Sequence, residues 1–472
     1  MAELISAAGI ASTTGALVVG LFAGPTAGLG SDAVAKELGI DVLGLAASDP
    51  TFTGAEGQVL AVVAPADAPR PIRLVGLGPR TSVSARVLGR AAMRASSPES
   101  TTSLLALELP GTSAVTAVVE GHRLGGWRYG ATADPPLAIV GDGDAARAER
   151  VARTTNWVRE LVEMPPNLLT PAVFADRIRT FASQEAPGLV TVTTWDSGML
   201  AEHGFGGTLG VGAADPLSTL AVELQYSSPS DGTTIALAGK GITFDSGGIN
   251  LKRDRSEISW MKTDMAAAAA VAGAVITAAA LGCERSLHAM LPITENMPGS
   301  RAQRPGDVVT HPDGRTTEVT DTDSEGRLVL ADALAWLAAT HPADLIDVGT
   351  LTDSGSLGTE FWGCWSTSTS LAAALVAAGE RSGDPGWRLP LHESYAALLS
   401  SRVADLANAP AEAPDTGVVA ATYLSAFVGD VPWAHIDNGS GAWLERDSGV
   451  WPEGPTGTPV RALIEFLVPT SE

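Results

Sequence analysis

Cysteine, lysine and net positive charge are all scarce in this 472-residue sequence. Its two cysteines, Cys283 and Cys364, are too few for a disulfide framework and form no Cys-x-x-Cys pair, which indicates a reducing compartment. The 30 basic residues face 53 acidic ones, and a net charge of −23 argues against binding to nucleic acid or acidic membranes. The chain also lacks a His-Glu-x-x-His segment, which argues against a zinc site of that type.

Patterns for other common chemistries are missing as well. The segment "AGKGIT" around Lys240 lacks the upstream glycine and the following Ser or Thr of a phosphate-binding loop. "GLGPRT", with Gly76 and Gly78, lacks the third glycine of a dinucleotide-binding fingerprint, and no Gly-x-Ser-x-Gly nucleophile motif occurs. These absences exclude the commonest nucleotide-binding and serine-hydrolase sites.

Long uncharged runs are limited to two. The first, Leu4–Ser31, has no basic segment before it, which argues against a signal peptide. The second, Met265–Gly282, is long enough to span a membrane but consists mostly of alanine and directly follows a charged motif. We expect it to form a buried, closely packed helix, and we expect the protein to be cytoplasmic.

The order of apolar runs and glycine or proline breaks predicts two α/β domains. The smaller occupies residues 1–142, and its strand-like runs include "DVLGLAA" and "GQVLAVVA". A charged helical pattern over residues 143–164 predicts a connecting helix that Pro165 and Pro166 end. Residues 165–472 form the larger domain, for which we expect a mixed, mostly parallel sheet flanked by helices.

The four lysines of the chain are unevenly distributed. Three of them, Lys240, Lys252 and Lys262, lie in "GKGITFDSGGINLKRDRSEISWMKTD", together with Asp245 and Asp264. A buried lysine can lose its proton and act as a nitrogen ligand or base, whereas arginine stays charged. This clustering indicates that amine chemistry is needed here.

A second charged group lies in "DTDSEGRL", where Asp323, Glu325 and Arg327 alternate and so project to one side if the segment is extended. This segment could also be a solvated acidic turn. Its combination with the lysine cluster, at the end of the strand-like "TIALAGKG", favours a site, because ligands bind beyond the carboxyl ends of strands. Four carboxylates and an amine suit Zn, Mn, Mg or Co, and two divalent ions would neutralise the carboxylates. The residues alone therefore predict a dimetal hydrolase.

From about residue 156 to its C-terminus the sequence resembles the leucyl aminopeptidase (cytosol aminopeptidase) family of dimetal peptidases. The resemblance rests on long motifs in a fixed order: "GKGITFDSGGINLK", "MKTDMAAAAAVAGA", "ENMPGSRAQRPGDVV", "DTDSEGRLVLADAL", "GTLTDSG" and "WAHIDNGSG". It implies a metallo-exopeptidase with two divalent ions per chain, and a macro-like fold for residues 1–142, which match the family only in general character.

The resemblance also implies a ligand set. Lys240, Asp245, Asp264 and Glu325 resemble the ligands of a tightly held metal. Asp245, Asp323 and Glu325 resemble those of an exchangeable metal, with the backbone carbonyl of Asp323 as a further ligand. Asp245 and Glu325 would bridge the two ions.

The remaining site residues carry other implied roles. Lys252 would polarise the scissile carbonyl, and Arg327 would hold a bicarbonate that relays a proton from the bridging water. Met261, Thr350 and Asp353 would line the substrate pocket. The family is usually a hexamer that cleaves short peptides, so we expect a homohexamer as well.

The sequence departs from the family pattern by two minor substitutions near the ligands and by larger changes in the substrate pocket. Asp321 and Ser324 stand where the family usually has Asn and Ala. Asp353 and Ser354 replace a Gly-Ala pair, and "DNGSG" replaces an apolar segment. Two alternatives stay open: a dimetal dipeptidase or hydrolase of altered specificity, which Asp353 favours, and a regulatory DNA-binding role, which the net charge opposes.

Overall fold

The computed structural model describes residues 1–63, 70–131, 134–230, 232–352, 357–412, 415–448 and 451–470. The chain divides into two units, residues 1–156 with 446–453 and residues 157–445 with 454–470. The division falls inside a long helix, Ala145–Glu163, at the place where the sequence predicts a connecting helix. The limits 1–142, 143–164 and 165–472 stay predictions.

The N-terminal unit is built on one six-stranded sheet. Its strands are β1 (Glu3–Ile5), β2 (Ala16–Leu21), β3 (Val59–Val63), β4 (Pro71–Gly76), β5 (Thr101–Ser103) and β6 (Leu137–Val140). They lie in the order β1-β6-β5-β2-β4-β3, and β3 is antiparallel to β4 while the other neighbours are parallel. The helices are α1 (Leu29–Leu38), α2 (Val42–Ala46), α3 (Ala85–Ala95), α4 (Thr112–Gly126) and α5 (Ala145–Glu163), with 3-10 turns at Ala7–Ser12, Arg80–Ser82 and Leu105–Glu108.

Strand β2 lies in the core of this unit, and all six of its residues are buried. Val18 packs in a cluster with Leu88 of α3, whereas Leu17 packs in a second cluster with Val34 of α1. Since neighbouring residues of a strand point to opposite faces, helices cover both faces of the sheet. The prediction that "DVLGLAA" is a strand is wrong, because this segment forms α2.

The C-terminal unit, residues 157–445 with 454–470, contains the remaining elements. Its strands are β7 (Val190–Trp195), β8 (Leu220–Tyr226), β9 (Thr234–Gly239), β10 (Gly241–Asp245), β11 (Ser286–Asn296), β12 (Val308–Thr310), β13 (Thr316–Glu318), β14 (Asp344–Gly349), β15 (Trp362–Ser366), β16 (Gly386–Arg388), β17 (Leu406–Ala407), β18 (Trp433–Asp437), β19 (Trp443–Leu444) and β20 (Gly454–Pro455). Its helices are α6 (Pro171–Glu185), α7 (Ser197–Glu202), α8 (Gly206–Val211), α9 (Arg255–Trp260), α10 (Ala266–Ala280), α11 (Glu325–Ala338), α12 (Thr369–Ser382), α13 (Thr416–Ser425), α14 (Gly439–Ala442) and α15 (Val460–Leu467), with 3-10 turns at Gly212–Ala214, Met261–Thr263 and Glu393–Leu399.

The large sheet of this unit has the order β16-β15-β18-β14-β9-β11-β8-β7, and β10 pairs with β11. The central run β18-β14-β9-β11 is parallel, as are the pairs β10–β11 and β15–β16. Antiparallel pairs join β15 to β18, β11 to β8 and β8 to β7. The predicted fold class, two α/β domains with a mixed and mostly parallel sheet in the larger one, is confirmed. Two small sheets, β12-β13-β17 and β19-β20, complete the unit.

Helix α10 lies against the centre of the large sheet. Its residues Ala266 to Ala279 are all buried, and it packs on β9, β11 and β14. A Cβ atom on Gly239 would lie 2.7 Å from Cα of Ala268, so the glycine and the small helix residues permit this close approach. The span Arg255–Ala280 is long and apolar enough to cross a membrane, and 94% of its most apolar window is buried inside the protein. The predicted buried helix is confirmed.

Candidate metal centre

The chain brings the five predicted metal ligands to one edge of the large sheet. Lys240 directly follows β9, and Asp245 is the last residue of β10. Asp264 lies two residues before α10, and Glu325 is the first residue of α11. Asp323 lies in the turn that leads into α11. Because the carboxyl ends of parallel strands meet at one edge, residues far apart in the chain converge there.

Two lysine side chains bridge the carboxylates. Nζ of Lys240 lies 2.8 Å from Oδ1 of Asp264 and 2.7 Å from Oε1 of Glu325. Nζ of Lys252 lies 2.9 Å from Oδ2 of Asp245 and 2.5 Å from Oδ1 of Asp323. All of these side chains are buried except that of Asp323, which is 29% exposed. Four carboxylates against two ammonium groups leave a charge of −2 in a mostly buried place.

This donor set fits divalent cations. One ligand oxygen each from Asp245, Asp323 and Glu325 lies within 4.8 Å of the others. Oδ2 of Asp264 and Oε2 of Glu325 are buried and, within the described part of the chain, have no hydrogen-bond partner. Buried carboxylate oxygens need a partner, and a cation supplies one without requiring a hydrogen.

Burial and mutual repulsion raise the pKa values of three carboxylates in this cluster. Burial, followed by the charge of Asp245, raises the pKa of Asp323 to about 7. Burial also raises the pKa of Asp264 and of Glu325, with repulsion from neighbouring carboxylates adding to it. Cations bound between these groups would relieve the repulsion and favour their ionised forms.

The same carboxylates act on the lysines in the opposite sense. Burial alone would lower the pKa of Lys240, but Asp264, Glu325 and Asp245 together raise it above its ordinary value. Lys240 therefore holds its proton while only protein groups surround it. To serve as a nitrogen ligand it must release that proton, so a metal on Lys240 would have to replace the ammonium charge.

Neutral side chains that the sequence did not single out hold the ligand-bearing segments together. Nδ2 of Asn296 donates to Oδ1 of Asp245 at 2.8 Å and to the carbonyl of Thr322 at 2.9 Å. Oγ1 of Thr322 donates to the carbonyl of Gly247 at 2.7 Å and accepts from the backbone N–H of Asn250. These bonds join the β10 end to the turn that carries Asp323. Asn296 is the last residue of β11, and this position at a strand end was the one sequence signal that could have marked it as a site residue.

Arg327 lies in the first turn of α11 and is 6% exposed. One of its guanidinium nitrogens donates to the backbone carbonyl of Asn408 at 2.6 Å. In the part of the chain that the structure describes, no carboxylate lies within ion-pair distance of it. Burial lowers the pKa of Arg327 below its ordinary value, and the charges of Asp321 and Glu325 oppose this shift.

The three predicted pocket residues have different outcomes. Thr350 lies beside the cluster, where its hydroxyl donates to Oδ1 of Asp264 at 2.6 Å and its carbonyl accepts from Lys240 at 3.0 Å. Met261 is partly buried in the 3-10 turn just before Asp264. Asp353, with its neighbour Ser354, lies outside the described residues.

Lys262, the third lysine of the clustered segment, pairs outside the carboxylate cluster. Its Nζ donates to the carbonyl of Glu163 at 2.7 Å and lies 3.3 Å from the Oε1 atom of the same residue. It also lies over the ring of Trp443, 4.8 Å from the centroid. Glu163 is therefore its carboxylate partner.

Two family models match this chain. The catalytic domain of the cytosol aminopeptidase family matches residues 156–464, and the N-terminal domain of the same family matches residues 18–133. Together they cover both units of the structure. The predicted resemblance is confirmed.

Individual proteins give the same result. A probable cytosol aminopeptidase of Streptomyces griseus is 36% identical, with 99% of this chain and 98% of the relative covered. One of Syntrophotalea carbinolica is 36% identical, with 90% and 91% covered. The solved structure of the bottromycin maturation enzyme BotP in complex with Mn is 34% identical, with a TM-score of 0.84 over 96% of this chain and 99% of that one. The chain therefore belongs to the cytosol aminopeptidase family and is a metallo-exopeptidase.

Proposed function

We propose that this protein removes the N-terminal residue of short peptides, with two divalent ions held by Lys240, Asp245, Asp264, Asp323 and Glu325. One observation carries this proposal: carboxylates from the end of β10 and from the starts of α10 and α11 converge, and two of their buried oxygens have no partner among the described residues. A surplus of buried negative charge is costly unless cations offset it. The family membership supports the reaction class.

The proposed ligand set differs in character between its two halves. The side chains of Lys240, Asp264 and Glu325 are buried, and Lys240 contacts both carboxylates, which suits a tightly held ion. Asp323 is partly exposed, so an ion on this side could exchange with solvent more readily. When bound, a pair of divalent ions supplies Lewis acidity and a nucleophilic water at neutral pH.

Lys252 is proposed to stabilise the oxygen of the scissile carbonyl. Its ammonium group is held between Asp245 and Asp323, and so it points into the cluster. Burial alone would lower its pKa, but Asp245 and Glu325 raise it above the ordinary lysine value, so the group stays a cationic donor. A compact cation placed where negative charge develops lowers the barrier more than it stabilises the substrate.

Arg327 is proposed to bind a bicarbonate ion that would supply a general base. A buried guanidinium without a carboxylate partner among the described residues is suited to a small oxyanion, because its nitrogens form a planar fork of donors. The backbone of Asn408 fixes one of those nitrogens and so orients the fork.

The native metal, the assembly and the location are further proposals. Zn or Mn is proposed as the metal, with Mg or Co as alternatives, and the BotP structure in complex with Mn favours Mn among them. We expect a homohexamer acting on short peptides in the cytoplasm. The relatives named cytosol aminopeptidase support that location.

The test is a peptide panel with the purified full chain. A tripeptide with a free N-terminus should lose its first residue in the presence of Mn²⁺ or Zn²⁺, as read by mass spectrometry. The same peptide with an acetylated N-terminus is the matched control and should stay intact. Equal cleavage of both peptides, or cleavage at an internal bond, would overturn the proposed exopeptidase function.

A further inference from the structure

We infer that Asn408 is a positioning residue that fixes the turn carrying Asp323, and with it the exchangeable half of the metal centre. Asn408 forms no hydrogen bond to the proposed ligand carboxylates. It is fully buried and belongs to a short segment that follows β17. The inference rests on the proposed function only in assuming that the carboxylate cluster binds divalent ions.

The side chain of Asn408 uses both halves of its amide on one turn. Its Nδ2 donates to the carbonyl of Asp321 at 2.7 Å and to that of Ser324 at 3.2 Å. Its Oδ1 accepts from the N–H groups of Thr320 at 2.8 Å and Asp321 at 3.2 Å, and from the Thr320 hydroxyl at 3.1 Å. The two ends of the turn around Asp323 are thus tied to a single side chain.

The backbone of Asn408 extends this arrangement to the proposed anion site. Its carbonyl accepts from Arg327 at 2.6 Å, and its N–H donates to the carbonyl of Glu318. Strand β17 pairs in parallel with β13, which ends at Glu318 just before the turn begins. The small β12-β13-β17 sheet therefore delivers one residue that contacts both the Asp323 turn and Arg327.

The chemistry of these contacts requires an amide. Two carbonyls need donors and two backbone N–H groups need an acceptor, and among side chains only Asn or Gln supplies two N–H hydrogens together with a carbonyl oxygen. Unpaired polar groups would remain buried if the amide were removed. Residues that orient the ligands of a metal are expected to change its affinity by about 10–100-fold when they are mutated.

The test compares Asn408→Asp with wild type by calorimetric titration of the metal-free full chain with Mn²⁺. The substitution keeps size but places an oxygen against the carbonyls of Asp321 and Ser324. We expect the weaker of the two Mn²⁺ sites to lose about 10–100-fold in affinity while the tighter site changes less. In active protein, the bicarbonate concentration for half-maximal rate should also rise, because the substitution displaces the segment whose backbone carbonyl holds Arg327.

Tyr423→Phe is the matched control for loss of a buried hydrogen-bonding group. Its hydroxyl contacts Thr317 of β13 and His311. The Tyr423→Phe substitution should lower the melting temperature and leave Mn²⁺ affinity unchanged. If Asn408→Asp does not fold, Thr320→Val tests the inference in its place. Thr320 is exposed, and its hydroxyl bonds to Asn408. Thr320→Val should lower the Mn²⁺ affinity of the weaker site several-fold.

Wild-type Mn²⁺ affinity at both sites in a folded Asn408→Asp protein would overturn the inference and leave the proposed function standing. Unchanged affinity in Thr320→Val would do the same where Asn408→Asp fails to fold. Conversely, site-specific weakening in a protein that cleaves no peptide would support the inference while the proposed function fails. The two claims can therefore be separated by one set of samples.

Discussion

Asp264 and Glu325 each keep one buried oxygen that no described protein group satisfies. Lys240 neutralises the other oxygen of each, so the pair is half satisfied by protein. A half-satisfied buried network is unfavourable for folding alone, which makes a binding role the simpler explanation. At the residue scale, the unsatisfied oxygens of these two carboxylates therefore indicate a cation-binding role.

Lys252 and Lys262 allow a charge-preserving comparison. Lys252→Arg should reduce kcat by about 10²–10³-fold, because a bulky fork replaces a compact donor aimed at one developing oxyanion. Lys262→Arg should have a small effect, since Lys262 pairs with Glu163 outside the cluster. Steady-state rates on one peptide check both variants, and equal losses would remove the special role of Lys252.

Asp353 is predicted to tune the choice of the first substrate residue, although it lies outside the described residues. A carboxylate about 4 Å from a charged side chain is worth about 4 kcal/mol at an effective dielectric of 20, before desolvation. It should favour N-terminal Arg over Leu and disfavour Glu. The measurement is kcat/KM for Arg-, Leu- and Glu-p-nitroanilides in wild type and Asp353→Gly. An unchanged Arg-to-Leu ratio would show that Asp353 is structural.

At the scale of elements, the turn after β10 controls how Lys252 reaches the cluster. Gly247 and Gly248 both have positive φ angles, of 87° and 65°, which favour glycine. A Cβ on Gly247 would also lie 2.6 Å from the carbonyl oxygen of Asn250 and 2.8 Å from Oδ1 of Asp323. The turn is therefore close-packed against a proposed metal ligand.

Gly247→Ala should consequently weaken Mn²⁺ binding and activity by at least tenfold. Gly282→Ala is its control: Gly282 has a similar φ of 77°, and no atom of the described chain outside its own neighbourhood lies within 4 Å of its Cβ position. Both substitutions carry about 1–2 kcal/mol of backbone strain. Titration with Mn²⁺ and melting curves separate the effects. Similar Mn²⁺ affinity in the two variants would mean that strain alone matters.

The elements near the site were predictable because their patterns are strong. "TIALAGKG" and the alanine-rich run gave β9 and α10, and the ligands lie next to them. "DVLGLAA" was misread because a short apolar run fits a strand or a helix equally well. The difference lies in Asp41, whose side chain caps α2 by accepting from the N–H of Gly44.

The neutral residues of the site were harder to predict. Asn296, Thr322 and Asn408 belong to residue types that usually form turns, so their sequence context gave no reason to select them. Their partners lie far away in the chain; Asn408 bonds to residues more than 80 positions earlier. The ligand roles of the charged residues stay predictions that the geometry supports.

At the scale of the whole molecule, one buried histidine couples the stability of the N-terminal unit to pH. In the N-terminal unit, His122 of α4 is buried, and burial together with Arg123 and Arg73 lowers its pKa to about 3. An unfolded histidine has a pKa of about 6.5. Below pH 6.5 the unfolded chain takes up a proton that the folded unit does not, so His122 costs stability as the pH falls towards 3.

This cost should reach about 1.4 kcal/mol per pH unit between pH 6 and pH 4. Replacing the buried histidine, as in His122→Leu, should remove that part of the pH dependence, whereas His392→Gln, at an exposed position, should not. Denaturant unfolding of the full chain at several pH values measures the difference. The same slope in His122→Leu as in wild type would contradict the assignment.

The most direct test of the proposed dimetal centre is the metal content of active protein. Elemental analysis of the purified chain should find two divalent ions per chain, and exhaustive chelation should abolish release of the N-terminal residue. Adding Mn²⁺ or Zn²⁺ should restore it, because the converging carboxylates repel one another without cations. Full activity in protein that contains no metal would contradict the proposed dimetal centre.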